Sequence, residues 1–241
     1  MIKNRKCQDA EVTFMKITWL GQAGLLFDNG KARVMIDPYL SDSVEKVNPM
    51  NRRCVPVKKE LFDIRPDVMI FTHDHLDHYD PETASRFLSR KDKNITVLCP
   101  TSVWQKARTH GGGHNYVEFN RYTEWTEAGL RFRAVMAVHS DPFAIGVIIE
   151  ELDAGRTYYI TGDTLYDSRI FAALPACIDM VFLPINGVGN NMNVVDAARF
   201  FHASGAKKVM PYHVGMFDTL SPEDFQEKNR VIANIYEEIE V

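Results

Sequence analysis

The run Thr72-His73-Asp74-His75-Leu76-Asp77-His78 constrains this chain more than any other segment. Three His and two Asp fall within six residues, in a chain of 241 residues that has only eight His. An apolar run, Val68 to Phe71, leads into it, and Asp80-Pro81-Glu82 follows. Asp80 can cap a helix and Pro81 suits its first turn, so the motif lies between a strand end and a helix start. His73 and His75 are two apart and share a side in extended backbone. Asp77 and His78 come where the chain turns into the helix. Such a turn can aim four ligating groups into one small volume. Imidazole and carboxylate suit Zn, Mn or Fe, and the absence of nearby thiolates argues against a structural zinc.

Around this motif the chain alternates short apolar runs with turn residues. Lys16 to Leu20, Gly24 to Phe27 and Ala32 to Ile36 read as an opening meander, with Asn29-Gly30 as a hairpin signal. Ser41 to Phe62 has no clear period and reads as a surface loop. Ile95 to Cys99 and Tyr116 to Phe119 read as strands, with a short helix from Ser102 between them. Leu130 to Val138, Ala144 to Glu150, Thr157 to Thr161, Met180 to Ile185 and Val209 to Tyr212 continue the strand pattern. Asn193 caps a helix running to Ser204, where Gly205 stops it. Ser221-Pro222-Glu223-Asp224 carries capping-box residues and predicts a last helix. Strands and helices alternate as in layered α/β proteins. Residues 1–14 read as an N-terminal extension, and residues 15–241 as a single domain of two packed sheets with helices outside.

Four ligands on one loop do not complete two metal sites. His139, Asp163 and His213 each follow a predicted strand, on the side where open α/β sheets build their sites. The spacing His73-x-His75-x-Asp77-His78, followed by His139, Asp163 and His213, resembles the metallo-β-lactamase superfamily over nearly the whole chain from Met15. Leu20 to Gly24 and Ile36-Asp37-Pro38 are similar to its opening strands. Pro184 to Gly187, Gly189 to Asn193 and Pro211 to Phe217 resemble a narrower group, the L-ascorbate-6-phosphate lactonase-like hydrolases.

The resemblance implies a four-layer αββα sandwich and two divalent metal ions per chain, Zn or Mn first and Fe next. His73, His75 and His139 would hold one ion, and Asp77, His78 and His213 the other. Asp163 would bridge them, and Asp37 would support the ligands from behind. The expected activity is hydrolysis of a small molecule, such as a sugar lactone or its phosphorylated form, by a hydroxide held between the metals, with Asp77 as proton shuttle. Asn186 is a candidate donor to substrate, and Arg52 and Arg53 are candidate partners for a substrate phosphate. The alternatives are phosphodiester hydrolysis of the nuclease type, a mononuclear iron redox enzyme, and a non-catalytic metal-binding protein.

Charge and cysteine usage narrow the partners. The formal net charge is −4, so no global basic field draws the chain to nucleic acid or to an anionic membrane. No apolar run reaches transmembrane length. Cys7, Cys54, Cys99 and Cys177 are widely spaced, which reads as reduced thiols and predicts a cytoplasmic protein. A small-molecule substrate is the expected partner; a homo-oligomer is left open.

Overall fold

The computed structural model describes residues 15–216 and 220–239. The expected extension, residues 1–14, lies outside them. The opening meander is present as β1 (Lys16–Gly21), β2 (Gly24–Asp28) and β3 (Arg33–Ile36). Three parallel partners follow: β4 (Val68–Ile70), β5 (Thr96–Cys99) and β6 (Asn115–Glu118). A two-residue strand, Glu238–Ile239, pairs with the outer edge of β1 and is β13. These seven strands form one sheet, in the order β13-β1-β2-β3-β4-β5-β6.

The second sheet contains β7 (Glu124–Glu127), β8 (Leu130–Met136), β9 (Ile145–Glu151), β10 (Arg156–Ile160), β11 (Met180–Pro184) and β12 (Lys208–Tyr212). Its order is β12-β11-β10-β9-β8-β7. Strands β10, β11 and β12 run parallel, so three consecutive strand ends open on one edge of the sandwich.

Side-chain alternation explains the layering. Val34 and Ile36 of β3, Val68 and Ile70 of β4 and Leu98 of β5 join the core between the sheets, where Phe27 meets Tyr158 and Phe182 edge-on. Met35, Met69, Val97 and Cys99 alternate with them and pack against α2 (Pro81–Leu88) and α3 (Thr101–Ala107). On the other side, Tyr159 turns away from the inner core and meets Phe200 of α4 (Val194–Ser204). The layers are helix, sheet, sheet, helix: the αββα sandwich of the metallo-β-lactamase fold.

The caps fall where the residues demand them. The Asp80 carboxylate accepts from the backbone N–H groups of Glu82 and Thr83, and Asn193 accepts from Val195 and Asp196. Gly205 ends α4 in the left-handed conformation.

Three expectations are corrected. Residues expected as a loop from Ser41 to Phe62 contain α1 (Ser43–Val47) and 3-10 turns at Pro49–Asn51 and Lys59–Asp63. The expected last helix is only a 3-10 turn, Pro222–Asp224, although its capping box does form. After Phe225 the chain offers Gln226, Glu227, Lys228 and Asn229, so no apolar face exists to hold further turns. Strands β7 and β13 were not expected.

Candidate metal centre

Strand ends deliver the ligands. His73 follows β4, His139 follows β8, Asp163 follows β10 and His213 follows β12, while Asp77 and His78 close the turn before α2. The structure brings all seven expected ligands together in two groups. His73, His75, His139 and Asp163 form the first; Asp77, His78 and His213 form the second. Within each group the ligand atoms lie within 4.8 Å of one another. Asp163 turns one oxygen to each. Its Oδ2 is 3.8 Å from His139 Nε2, and its Oδ1 is 3.2 Å from His78 Nε2 and 3.0 Å from His213 Nε2.

Three of the five imidazoles are oriented from behind. Asp37 is fully buried, and its Oδ2 accepts from His78 Nδ1 at 2.8 Å, which leaves Nε2 facing the other ligands. The same carboxylate accepts from the Thr72 amide at 2.8 Å and from its hydroxyl at 2.6 Å. With its proton given to Asp37, Thr72 Oγ1 accepts from His73 Nδ1 at 3.0 Å. His139 Nδ1 sits 3.3 Å from the Asn190 carbonyl. Asp37, Gln22 and His213 all hold left-handed backbone, with φ of 43°, 51° and 61°. Such conformations cost free energy in residues other than Gly and gather at functional sites.

The electrostatics fit divalent cations. Burial works against charge throughout. Even so, His78, then His213, outweigh it and hold Asp77 below the usual carboxylate range; His213 and His78 do the same for Asp163. Burial opposes the charge on His213, yet Asp163 and Asp77 push its pKa up to about 10. His78 is likewise raised, against burial, by Asp163, Asp77 and Asp37. Burial, helped by His78, drives His73 well below the ordinary histidine value. Within the two donor groups, the buried His73 Nε2 and Asp163 Oδ1 lack a hydrogen-bond partner among the described residues. Nitrogen pairs crowd as well. His139 Nε2 lies 3.1 Å from His75 Nδ1, and His78 Nε2 lies 3.0 Å from His213 Nε2. Cations at the two groups would satisfy the orphaned atoms and take over the positive charge that protons otherwise supply. The donor set, five imidazoles and two carboxylates without thiolate, suits Zn, Mn or Fe.

A cleft of about 240 Å³ opens above the two groups, lined by His75, Asp77, Asp163 and His213 among others. Asn186 lines it, but its amide donates to the His213 carbonyl at 3.3 Å and lies 3.2 Å from His213 Nδ1. Asn186 thus braces His213. Arg53, expected to meet a substrate phosphate, does not line this cleft. Its Nη2 donates to the Tyr39 carbonyl at 2.8 Å and its guanidinium lies over the Tyr39 ring, beside a separate hollow. The 3-10 turn Pro49–Asn51 presents Asn51 to the cleft, and the exposed Arg52 is not part of the lining.

Two residues at the site were not singled out from the sequence. Gln22, in the β1–β2 turn, donates from Nε2 to Asp77 Oδ2 at 2.8 Å and sits 3.1 Å from His213 Nε2. Asn191 donates to Asp163 Oδ2 at 2.8 Å.

Comparison with known proteins agrees with this fold. The UPF0173 metal-dependent hydrolase of Korarchaeum cryptofilum is 31% identical over 219 residues, spanning 88% of this chain and 90% of its own. Igni18, a metallo hydrolase from Ignicoccus hospitalis, shares the fold with a TM-score of 0.70 at 20% identity, over 93% of this chain and 97% of that one. The isothiocyanate hydrolase from Delia radicum gut bacteria shares it with a TM-score of 0.72 at 18% identity, over 94% and 99%. The family model described as a beta-lactamase superfamily domain matches residues 32–214, and the chain belongs to the metallo-β-lactamase superfamily.

Proposed function

We propose that this protein is a metal-dependent hydrolase acting on a small ester or lactone, with two divalent ions held by the seven ligands. One observation carries the reading: two donor groups face each other across the Asp163 carboxylate at the floor of an open cleft. The name of the Korarchaeum relative, a metal-dependent hydrolase, supports it. Bound ions would supply Lewis acidity and make a water acidic enough to lose its proton near neutral pH.

The protein's own groups do the rest. Asp77 lines the cleft, and Gln22 grips its Oδ2. Asp77 takes a proton from the attacking water as oxygen bonds to the acyl carbon. It returns that proton to the leaving oxygen as the old carbon–oxygen bond breaks, so one water is consumed and acid and alcohol are released. Asp37 and Asn186 hold His78 and His213 in place. Replacing Asp77 by Asn should cut kcat by roughly 10²–10⁴-fold. Metal content measured on the same variant separates loss of the shuttle from loss of a ligand. Full turnover in a metal-loaded Asp77→Asn variant would end the shuttle role.

We place this activity in the cytosol. The free thiols of Cys54, Cys99 and Cys177 support a reducing compartment. No helix among the described residues is long and apolar enough to cross a membrane.

A further inference from the structure

Beyond the metal ligands, the cleft wall has a definite chemistry. Val44, Val188 and Met216 give it apolar surface, and Asn51, Asn190 and Ser140 give it neutral polar groups. Among the described residues, no Lys or Arg lines it. The sequence at 217–219, next to Met216, reads Phe-Asp-Thr and carries no cation either. Cations on the flanking segments are engaged elsewhere. Lys46, between Val44 and Asn51, pairs with Glu82 at 2.5 Å. Arg53 is held on Tyr39, and Lys106 pairs with Asp74 at 2.6 Å. Arg52 is exposed and outside the lining. At about 240 Å³ the cleft is also smaller than the pockets of roughly 300–1,000 Å³ that take drug-sized ligands.

Resting on the hydrolase reading above, we infer that the substrate is a small acyl compound with no charge away from its reacting carbonyl, its apolar substituent lying against Val44, Val188 and Met216. An anionic tail would meet no Lys or Arg on this wall and gain nothing from its apolar surface, whereas an uncharged alkyl group gains by covering that surface. A phosphorylated sugar lactone is therefore the wrong class, whereas an uncharged alkyl lactone or ester fits. Val188 is the position at which a cation would change the choice. It lines the cleft, is about half exposed, and its side chain takes no part in holding a ligand.

The test compares γ-hexalactone with the same lactone phosphorylated on its terminal carbon, using metal-loaded protein. Steady-state kinetics are read alongside calorimetric Kd values for the two corresponding γ-lactams, which serve as slow analogues. The neutral lactone should show a kcat/KM at least about 10-fold higher, and the neutral lactam should bind more tightly. In Val188→Lys the gap should shrink or reverse, through recovery of the phosphorylated compound. Equal or better use of the phosphorylated lactone by the wild-type protein would overturn the inference while leaving the hydrolase reading intact. If neither lactone turns over, the hydrolase reading fails for these esters, and the lactam affinities decide alone. Tighter binding of the neutral lactam would uphold the inference; tighter or equal binding of the phosphorylated one, or binding of neither, would overturn it.

Discussion

Gln22 joins two ligands that belong to different parts of the chain. Its amide reaches Asp77 and His213 from a turn where its own backbone is left-handed. Asn tolerates that backbone better than most residues but is one methylene shorter. Gln22→Asn should therefore keep the turn and withdraw the amide, lowering metal affinity in the group of Asp77, His78 and His213 or the turnover by about 10–100-fold. Stepwise metal titration should show the loss in one equivalent and spare the other; two unchanged equivalents with unchanged turnover would contradict the role. The residues of the two donor groups were legible in sequence because His and Asp crowd into one turn and then recur after strands. Gln22 and Asn191 were not legible, because amides carry neither charge nor a ligand signature. Their partners, Asp77 and Asp163, lie 55 and 28 residues away. Arg52 and Arg53 drew attention as adjacent charges, but neither lines the cleft, to which the 3-10 turn before them presents Asn51.

At the scale of elements, strands with both faces covered were easy to read, whereas two of the four edge strands, β7 and β13, were not. Val68–Ile70 and Met180–Pro184 are apolar throughout and buried. Edge strand β7, Glu-Trp-Thr-Glu, offers one aromatic among polar residues, and β13 has two residues. Capping residues alone overstated the helix after Ser221, since caps start a helix but an apolar face sustains it. One strand end also carries a stability prediction. Glu151 closes β9, is buried, and its Oε2 has no hydrogen-bond partner. Burial raises its pKa, with Asp153 adding to the shift and Arg156 opposing it. A carboxyl with a raised folded-state pKa contributes its stability below the unfolded value, about 4.3, and loses it as pH rises through the folded value. Glu151→Gln should thus match the wild type near pH 4 and gain on it towards pH 8, by on the order of 1 kcal/mol. Denaturant unfolding at the two pH values checks this. A gain confined to acid pH would mean that Glu151 is held ionised.

The whole molecule is arranged so that its two sheets meet at the ligand edge. The first supplies the His73 to His78 turn and Asp37; the second supplies His139, Asp163 and His213. Each donor group draws on both sheets, so packing of the inner core sets the geometry within each group. That dependence makes metal stoichiometry the most direct test. Elemental mass spectrometry on the reconstituted protein should find about two divalent ions per chain. The same preparation should hydrolyse neutral esters or lactones, lose activity on chelation and recover it on reloading. Less than about one ion per chain after reconstitution, with no hydrolysis across the panel, would contradict the two-metal hydrolase.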